Sequence, residues 1–346
     1  MADKTLKSLN FGGADNYFPL PIVSTNDNDN ILVVADGEWV AKSPNDIPGQ
    51  YVWSKKDSAD GPVTGYVISN NGEKYPDGGW SEGVFYTLEL GPIPPYLRFT
   101  GNEDFTLKTY NTTKNWDGTL EYSTDTTTWN TWNGTEISSS GSKLYLRGTG
   151  NTRITGNLSD YMFVFAGTDA LKIACKGNIE NLLDYETVIA GGHPTMAEDC
   201  YAYMFRNCTA LTSAPELPAT TLADYCYNYM FRGCTSLTTA PALPATTLAD
   251  YCYNSMFNGC TSLTTAPALP ATTLASACYY SMFNGCTKIK MSSTKTGDYQ
   301  KEYRIPTSGT GTTATSALNN MFSGTGGTFT GTPSINTTYY TSNTVV

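Results

Sequence analysis

Apolar residues in the second half of the chain recur at the spacing of a helix face. In one representative stretch, Cys226, Met230, Phe231 and Cys234 stand at positions i, i+4, i+5 and i+8, which places them on one side of an α-helix. Gly233 lies at the end of the stretch, where a left-handed cap is favoured. The pattern predicts a short amphipathic helix.

A strand-like piece follows the predicted helix. Leu237 and Ala240 are its apolar residues, and Pro241 and Pro244 close it, because proline disfavours a central position in a sheet. One helix and one short extended piece with an inward leucine predict the unit of an α/β leucine-rich-repeat solenoid.

This unit repeats every 26 residues without gaps from residue 200 to residue 287. The copies keep two cysteines, a methionine and a phenylalanine in phase. A degenerate last copy, residues 317–325, follows an insertion of 13 residues. Because a repeated unit sets the architecture of the region that contains it, we expect a solenoid over residues 171–330, with core copies at 200–287.

The centre of the unit, Phe231 to Thr238, reads F, x, x, C, T, x, L, T. It resembles the leucine-rich repeats of bacterial BspA-like surface proteins, and the resemblance covers roughly residues 196–325. Similar repeats are found in adhesins of gut Bacteroidales and in fibre proteins of the phages that infect them. The resemblance implies a leucine-rich-repeat fold used in adhesion, on a cell or on a virus.

Residues 1–45 predict an extended arm with a short hairpin. Ile31, Val33 and the Trp39–Val40 pair are alternating apolar positions on either side of an Asp36 and Gly37 turn, which is typical of a hairpin. The arm resembles the N-terminal attachment segments of phage head-fibre and tail-fibre proteins. The resemblance implies docking on phage capsid or tail proteins. The candidate attachment residues are Leu9, Phe11, Tyr17, Phe18 and Trp39.

Two further segments complete a mainly β N-terminal half. Residues 46–92 are dense in aromatic residues and turn pairs, which favours a small β module. Residues 93–170 contain six short strand-like runs separated by turns, which predict an antiparallel β-sandwich. Residues 331–346 form a C-terminal tail after the repeats.

One turn of the predicted sandwich carries a known pattern. Ser123, Asp125 and Trp129 resemble a sialidase-type Asp-box turn, with Thr127 in place of its glycine. That motif is structural, so it does not imply glycosidase action. Glycoside hydrolysis needs two carboxylates about 5 to 9.5 Å apart, and the sequence offers no pair that can be placed across a cleft.

The charge balance excludes one class of partner. Lys and Arg total 21 and Asp and Glu total 31, a net charge of −10, which is the wrong sign for covering a phosphate backbone. No apolar run is long enough to span a bilayer, and the first residues lack the apolar stretch of a secretory signal. We expect a protein made and folded in the cytoplasm, with no nucleic-acid partner and no membrane insertion.

The sequence holds one histidine, His193, and nine cysteines. Serine, cysteine and zinc catalytic arrangements generally need histidine as a base or ligand, so we expect no enzymatic activity, no cofactor and no metal site. The two in-phase cysteines of one copy are too far apart along a helix for a disulfide. Reduced, packed thiols are the favoured state, and a bridge between adjacent copies is the alternative.

Comparison of the copies with one another identifies variable positions. Counted from the first cysteine, the copies differ at the second, third and sixth positions, which a helical wheel places opposite the apolar face. This predicts a ligand surface suited to sugars or to a receptor protein, and drift of solvent-facing residues is the alternative. The candidate residues are Ala202, Tyr203, Arg206, Asn228, Tyr229, Arg232, Asn254, Asn258, Tyr280 and Asn284.

Together these features favour a structural component of a bacteriophage virion. The expected protein is a capsid (head) fibre or decoration protein that displays the repeat surface for adhesion to a host-surface glycan or protein. Such fibres are usually homo-oligomers, most often trimers, so that weak sites act together. The alternatives are a phage tail-fibre receptor-binding protein and a bacterial cell-surface adhesin of the BspA-like kind.

Overall fold

The computed structural model describes residues 95–156 and 162–342, together with the backbone of seven strands nearer the N-terminus. Contacts divide the chain into two compact units, Met1–Pro92 and Ile93–Val346, and each is described by itself. The boundary predicted near residue 170 therefore lies inside the second unit.

The first unit contains short antiparallel pairs. β1 pairs with β2, β3 pairs with β4, and β5 lies between β6 and β7. In this register Leu9 stands opposite Phe18, and Val34 stands opposite Trp39. The strands are β1 (Ser8–Asn10), β2 (Tyr17–Pro19), β3 (Ile31–Ala35), β4 (Glu38–Lys42), β5 (Tyr51–Lys56), β6 (Val63–Ile68) and β7 (Phe85–Leu90).

The second unit begins with a β region. Its strands are β8 (Leu97–Gly101), β9 (Thr106–Thr109), β10 (Thr119–Ser123), β11 (Asn130–Trp132), β12 (Ile137–Ser138), β13 (Lys143–Thr149), β14 (Phe163–Ala166), β15 (Ile173–Lys176) and β16 (Leu211–Ser213). Six of them form one sheet in the order β11-β10-β13-β8-β15-β16, and β12-β9-β14 form a second. Because β16 lies within the first repeat copy and pairs in parallel with β15, the large sheet runs directly into the repeats.

The β region and the repeats share one hydrophobic core. Trp116 stacks on Trp132 with ring centroids 5.1 Å apart, and Trp132 meets Phe163 edge to face at 5.3 Å. Phe163 in turn packs edge to face against Phe205 of the first copy at 6.0 Å. The aromatic contacts thus continue without a break from the sheets into the repeats.

The turn predicted to resemble an Asp box forms at the end of β10. The Asp125 carboxylate accepts the backbone N–H groups of Thr127 and Thr128 at 2.9 and 2.8 Å and the hydroxyl of Ser123 at 3.0 Å. These hydrogen bonds hold the pKa of Asp125 well below its usual range. All these hydrogen-bond partners of the carboxylate lie in its own turn, so the carboxylate has a structural role.

The predicted α/β solenoid is wrong, because the repeats contain no helix. Among the residues that the structure describes, one α-helix occurs, α1 (Asn181–Ile189), and it precedes the repeats. It is itself interrupted at Asp184, which is extended at φ −155° and ψ 98°. The second unit is mainly β strands and turns.

A left-handed residue at every fourth position explains why the repeats contain no helix. Tyr225, Tyr229 and Gly233 have φ values of 56°, 56° and 76°. A right-handed helix cannot pass through such residues. A run of short turns returns apolar side chains to the same side at i, i+4 and i+8 as a helix does, so the hydrophobic pattern could not separate the two.

Backbone hydrogen bonds in this run alternate between two destinations. Every second N–H donates to the carbonyl three residues earlier in its own copy, and the intervening N–H groups donate to the next copy. The bonds to the next copy are 2.8–2.9 Å long and join Tyr227 to Cys252, Tyr229 to Asn254, Phe231 to Met256 and Gly233 to Asn258. Because buried backbone groups must be paired, this alternation requires copies that stay in phase.

Buried side chains form continuous ladders along the stacked copies. Neighbouring rings in each ladder have centroids 5.5–5.8 Å apart and lie nearly parallel. Each such aromatic pair contributes about 0.5–1.5 kcal/mol beyond the area it buries. One ladder is Tyr201, Tyr227, Tyr253 and Tyr279, and the other is Phe205, Phe231, Phe257, Phe283 and Phe322.

Both ends of the stack are covered. At the first copy, Ile154 and Phe163 donate backbone N–H groups to Cys200 and Met204. At the last copy, the backbone N–H of Phe322 donates to Gly331 at 2.8 Å. A small sheet lies at this end, with strands in the order β18-β20-β17-β19. These strands are β17 (Lys290–Ser292), β18 (Tyr299–Arg304), β19 (Gly326–Gly327) and β20 (Thr338–Ser342).

The stretch from Ala317 stacks in phase despite the insertion before it. Tyr279 and Phe283 donate backbone N–H groups to the carbonyls of Ala317 and Met321, both at 2.9 Å. The segment between Cys286 and Ala317 contributes β17 and β18 to the sheet that covers this end. Within the part of the chain that the structure describes, no helix is long and apolar enough to cross a membrane.

Candidate ligand-binding surface

Two tyrosines at a left-handed position start the candidate surface. Tyr203 and Tyr229 hold the third position after the first cysteine, with φ values of 64° and 56°. Both are partly exposed, and their rings stack with centroids 5.2 Å apart and planes 14° apart. Burial and the neighbouring Tyr229 raise the pKa of Tyr203, so this hydroxyl stays protonated at neutral pH.

An arginine lies over each of these rings. The guanidinium carbon of Arg206 is 5.6 Å from the centroid of Tyr203, and that of Arg232 is 5.3 Å from the centroid of Tyr229. Both distances are within the range of a cation–π contact. We call the four residues Tyr203, Arg206, Tyr229 and Arg232 the tyrosine–arginine ledge.

A second stacked tyrosine pair lies at the position before the first cysteine. Tyr225 and Tyr251 have ring centroids 4.7 Å apart and planes 5° apart, and both are left-handed and partly exposed. These two tyrosines were not among the ligand residues predicted from the sequence. The same comparison of copies could have found them, because this position also varies, with Asp199 in the first copy and Ala277 in the fourth.

Three of the predicted ligand residues are not on the surface. Ala202, Asn228 and Asn254 occupy the second position, and their relative exposures are 0%, 7% and 7%. The prediction was wrong because it placed this position on a helical wheel, whereas the chain turns every four residues here. The side-chain oxygens of both asparagines are buried without a hydrogen-bond partner.

The other predicted residues are partly exposed but belong to different copies. Asn258 and Asn284 replace the arginines in the third and fourth copies, and Tyr280 lies at the second position of the fourth. Ser255 and Ser281 replace the tyrosines of the ledge and are buried. The aromatic and cationic side chains are therefore concentrated in the first two copies.

Carboxylates at the start of the same run of turns accept hydrogen bonds from backbone N–H groups. The Asp224 carboxylate accepts the backbone N–H of Asp250, and the Asp250 carboxylate accepts that of Ser276, both at 2.9 Å. Each aspartate thus joins its own copy to the next. Neither forms an ion pair with Arg206 or Arg232 in the part of the chain that the structure describes.

The histidine pairs with a buried carboxylate. His193 Nδ1 lies 2.8 and 3.0 Å from the two carboxylate oxygens of Glu180, which is 2% exposed. Burial raises the pKa of Glu180, and the contact with His193 opposes that shift. The pair attaches the segment after α1 to the core.

All nine cysteines are free and buried. Within the described ranges, no group of three or more His, Cys, Asp or Glu residues is arranged to hold a metal ion.

The candidate attachment residues lie in the first unit. Leu9 is in β1, Tyr17 and Phe18 are in β2, and Trp39 is in β4. Phe11 lies outside the described residues. The backbone register brings Leu9 and Phe18 opposite each other, and Trp39 belongs to the separate β3–β4 pair.

Comparison with known proteins gives no relative for this chain: no family model, no curated protein and no solved structure matches it.

Proposed function

We propose that the protein is a structural component of a bacteriophage virion, a capsid fibre or decoration protein that presents the tyrosine–arginine ledge to a host-surface glycan or protein. The adhesion part rests on one observation: two stacked tyrosines in adjacent copies, each with an arginine over its ring, are partly exposed. Tyrosine and arginine are also enriched among residues that dominate binding energy.

The virion part rests on the N-terminal arm. Its resemblance to phage fibre attachment segments supports docking on a capsid or tail protein. A homotrimer would present three ledges together, and linked weak sites gain affinity through their high effective concentration. The proposal involves no catalysis and no cofactor.

Mass spectrometry and immunogold labelling of purified phage particles test the virion part. Capsid labelling is the expected result. Tail labelling would support the tail-fibre alternative instead. Absence from particles, with labelling on the bacterial envelope, would contradict the proposal and favour a cell-surface adhesin.

Competition for host adsorption tests the adhesion part. Purified full-length protein should block phage adsorption, whereas the variant Tyr203→Ala/Arg206→Ala/Tyr229→Ala/Arg232→Ala should not. The control is Thr235→Ala/Thr261→Ala, which changes exposed residues of two adjacent copies and should compete as the wild type does. Equal competition by the ledge variant, with an unchanged thermal unfolding curve, would contradict adhesion through the ledge.

A further inference from the structure

We infer that the tyrosine–arginine ledge binds a glycan that carries carboxylate groups. This inference rests on the proposed adhesion function and adds the chemical class of the ligand. It depends on the availability of the two guanidinium groups, on their fixed placement and on the spacing of the two tyrosine rings.

Among the residues that the structure describes, the two guanidinium groups have no carboxylate partner. Neither Arg206 nor Arg232 takes part in an ion pair among the described residues, although acidic residues outnumber basic ones by 31 to 21. Both arginine side chains are partly exposed, so a ligand can reach them.

The guanidinium groups are also held in place. Each lies within 5.3–5.6 Å of the centroid of a tyrosine ring in its own copy, and the two rings stack on each other. A side chain fixed before binding loses less conformational entropy when a ligand arrives. The ledge is therefore a preformed cationic site.

A carboxylate suits these groups better than a nucleic-acid phosphate does. The planar guanidinium fork donates two parallel hydrogen bonds to a carboxylate. Phosphate would also fit the fork, but a chain with a net charge of −10 repels a continuous phosphate backbone. A short oligosaccharide with a few carboxylates meets less of that repulsion than a continuous backbone does.

The spacing of the ledge favours a glycan over an acidic peptide. The tyrosine rings of the two copies are 5.2 Å apart. Side chains on one face of an extended peptide recur at about 6.6–6.8 Å, two residues at the strand rise, so they fall out of step with the ledge. Each tyrosine offers a partly exposed ring and a hydroxyl to a sugar.

Binding of the full-length protein to immobilised oligosaccharides tests the inference. The probes are oligogalacturonate, hyaluronan fragments and oligosialic acid, each beside its carboxyl-reduced counterpart. We expect at least one acidic probe to bind, and its reduced form to bind roughly tenfold or more weakly, because hydrogen bonds to charged groups are lost. Raised salt should weaken binding of the acidic form.

Variants assign the effect to the ledge. Arg206→Gln/Arg232→Gln should lower affinity for the acidic probe as much as carboxyl reduction does, and Arg206→Lys/Arg232→Lys should restore part of it. The control Lys288→Gln/Lys290→Gln removes the same charge from two exposed lysines and should leave the affinity unchanged. Equal losses in the arginine and lysine variants would overturn the inference, because they would show an effect of net charge alone.

Three other results would overturn the inference. The first is that no acidic probe binds better than its reduced form. The second is stronger binding to heparin than to the carboxylated probes, which would assign the ledge to sulfate groups. The third is stronger binding to polyglutamate than to those probes, which would assign it to an acidic peptide. If the ledge variant loses host adsorption while carboxylates have no effect, only the ligand class fails; if adsorption is unchanged, the proposed adhesion function itself fails.

Discussion

The thiol of Cys234 lies 3.0 Å from the backbone carbonyl oxygen of Phe205 in the preceding copy. The same contact joins Cys260 to Phe231. The Phe205 carbonyl also accepts the backbone N–H of Cys208 in its own copy. The second cysteine of a copy therefore links neighbouring copies where the run of turns ends, which gives it a structural role in the core.

The buried thiols should be unreactive in the native protein. Burial raises the pKa of Cys208, Cys278 and Cys286 to about 12, and only the thiolate reacts readily. We expect no reaction with Ellman's reagent at pH 8 before unfolding, and nine equivalents in guanidinium chloride. Thr235→Cys, at an exposed position, is the positive control and should react once. Rapid reaction of the native wild-type thiols would show that the stack opens easily.

Replacement of a buried asparagine should be tolerated. Asn254 buries its side-chain oxygen without a hydrogen-bond partner, and Ala202 is accommodated at the same position of the first copy. An unsatisfied buried polar atom costs about 1–3 kcal/mol. Removing it offsets the cavity that Asn254→Ala leaves, so we expect a free energy of unfolding equal to or above that of the wild type.

Chemical denaturation measures this change against a matched control. Met256 is fully buried in the same copy, and Met256→Ala should lower the free energy of unfolding by about 2–5 kcal/mol. A loss for Asn254→Ala as large as that for Met256→Ala would mean that the asparagine makes a stabilising interaction.

Adding a β-carbon at Gly259, the third left-handed position in the turns of the third copy, should destabilise the protein. Gly259 has a φ of 76°, and the nearest atoms to an added β-carbon are 3.8 Å away, so Gly259→Ala meets no steric obstacle. Its effect should come from the backbone alone, roughly 1–2 kcal/mol. Thermal or urea unfolding of Gly259→Ala beside Thr261→Ala, an exposed change in the same copy, checks this. Stability equal to that of the control would argue against a left-handed backbone at residue 259.

The period of the repeat could be predicted from the sequence, but its backbone could not. In-phase residues such as Phe231 and Phe257 do stack, because inter-copy hydrogen bonds require equal lengths. The helix was wrong because turns of four residues return Cys226, Met230 and Cys234 to one side as a helix would. Glycine at position 233 did indicate a left-handed residue, but it was interpreted as the end of a helix.

Comparison of the copies could predict part of the tyrosine–arginine ledge. Tyr229 and Arg232 vary between copies and are partly exposed, so comparison of copies found them. Asn228 also varies but is buried. Variability between copies identifies positions that do not belong to the ladders, but it does not show whether their side chains face the solvent. Tyr225 was missed because it precedes the cysteine that was taken as the start of the predicted helix.

The buried carboxylate of Glu180 should make stability depend on pH in the acid range. Burial raises the pKa of Glu180 above its ordinary value of 4.5, so the folded protein keeps this proton at pH values where the unfolded chain has lost it. The unfolded state then binds fewer protons, and the contribution of this group to stability falls as the pH rises from about 4.5 through the raised pKa.

Glu180→Gln keeps an oxygen that can accept a hydrogen bond from His193 but cannot ionise. Relative to the wild type, its free energy of unfolding should therefore gain with rising pH over that window and then level off. Urea unfolding at several pH values measures the difference between the two proteins, and Glu198→Gln, outside this contact, is the control. A constant difference across the window, or one of opposite sign, would mean that Glu180 is already ionised in the folded protein.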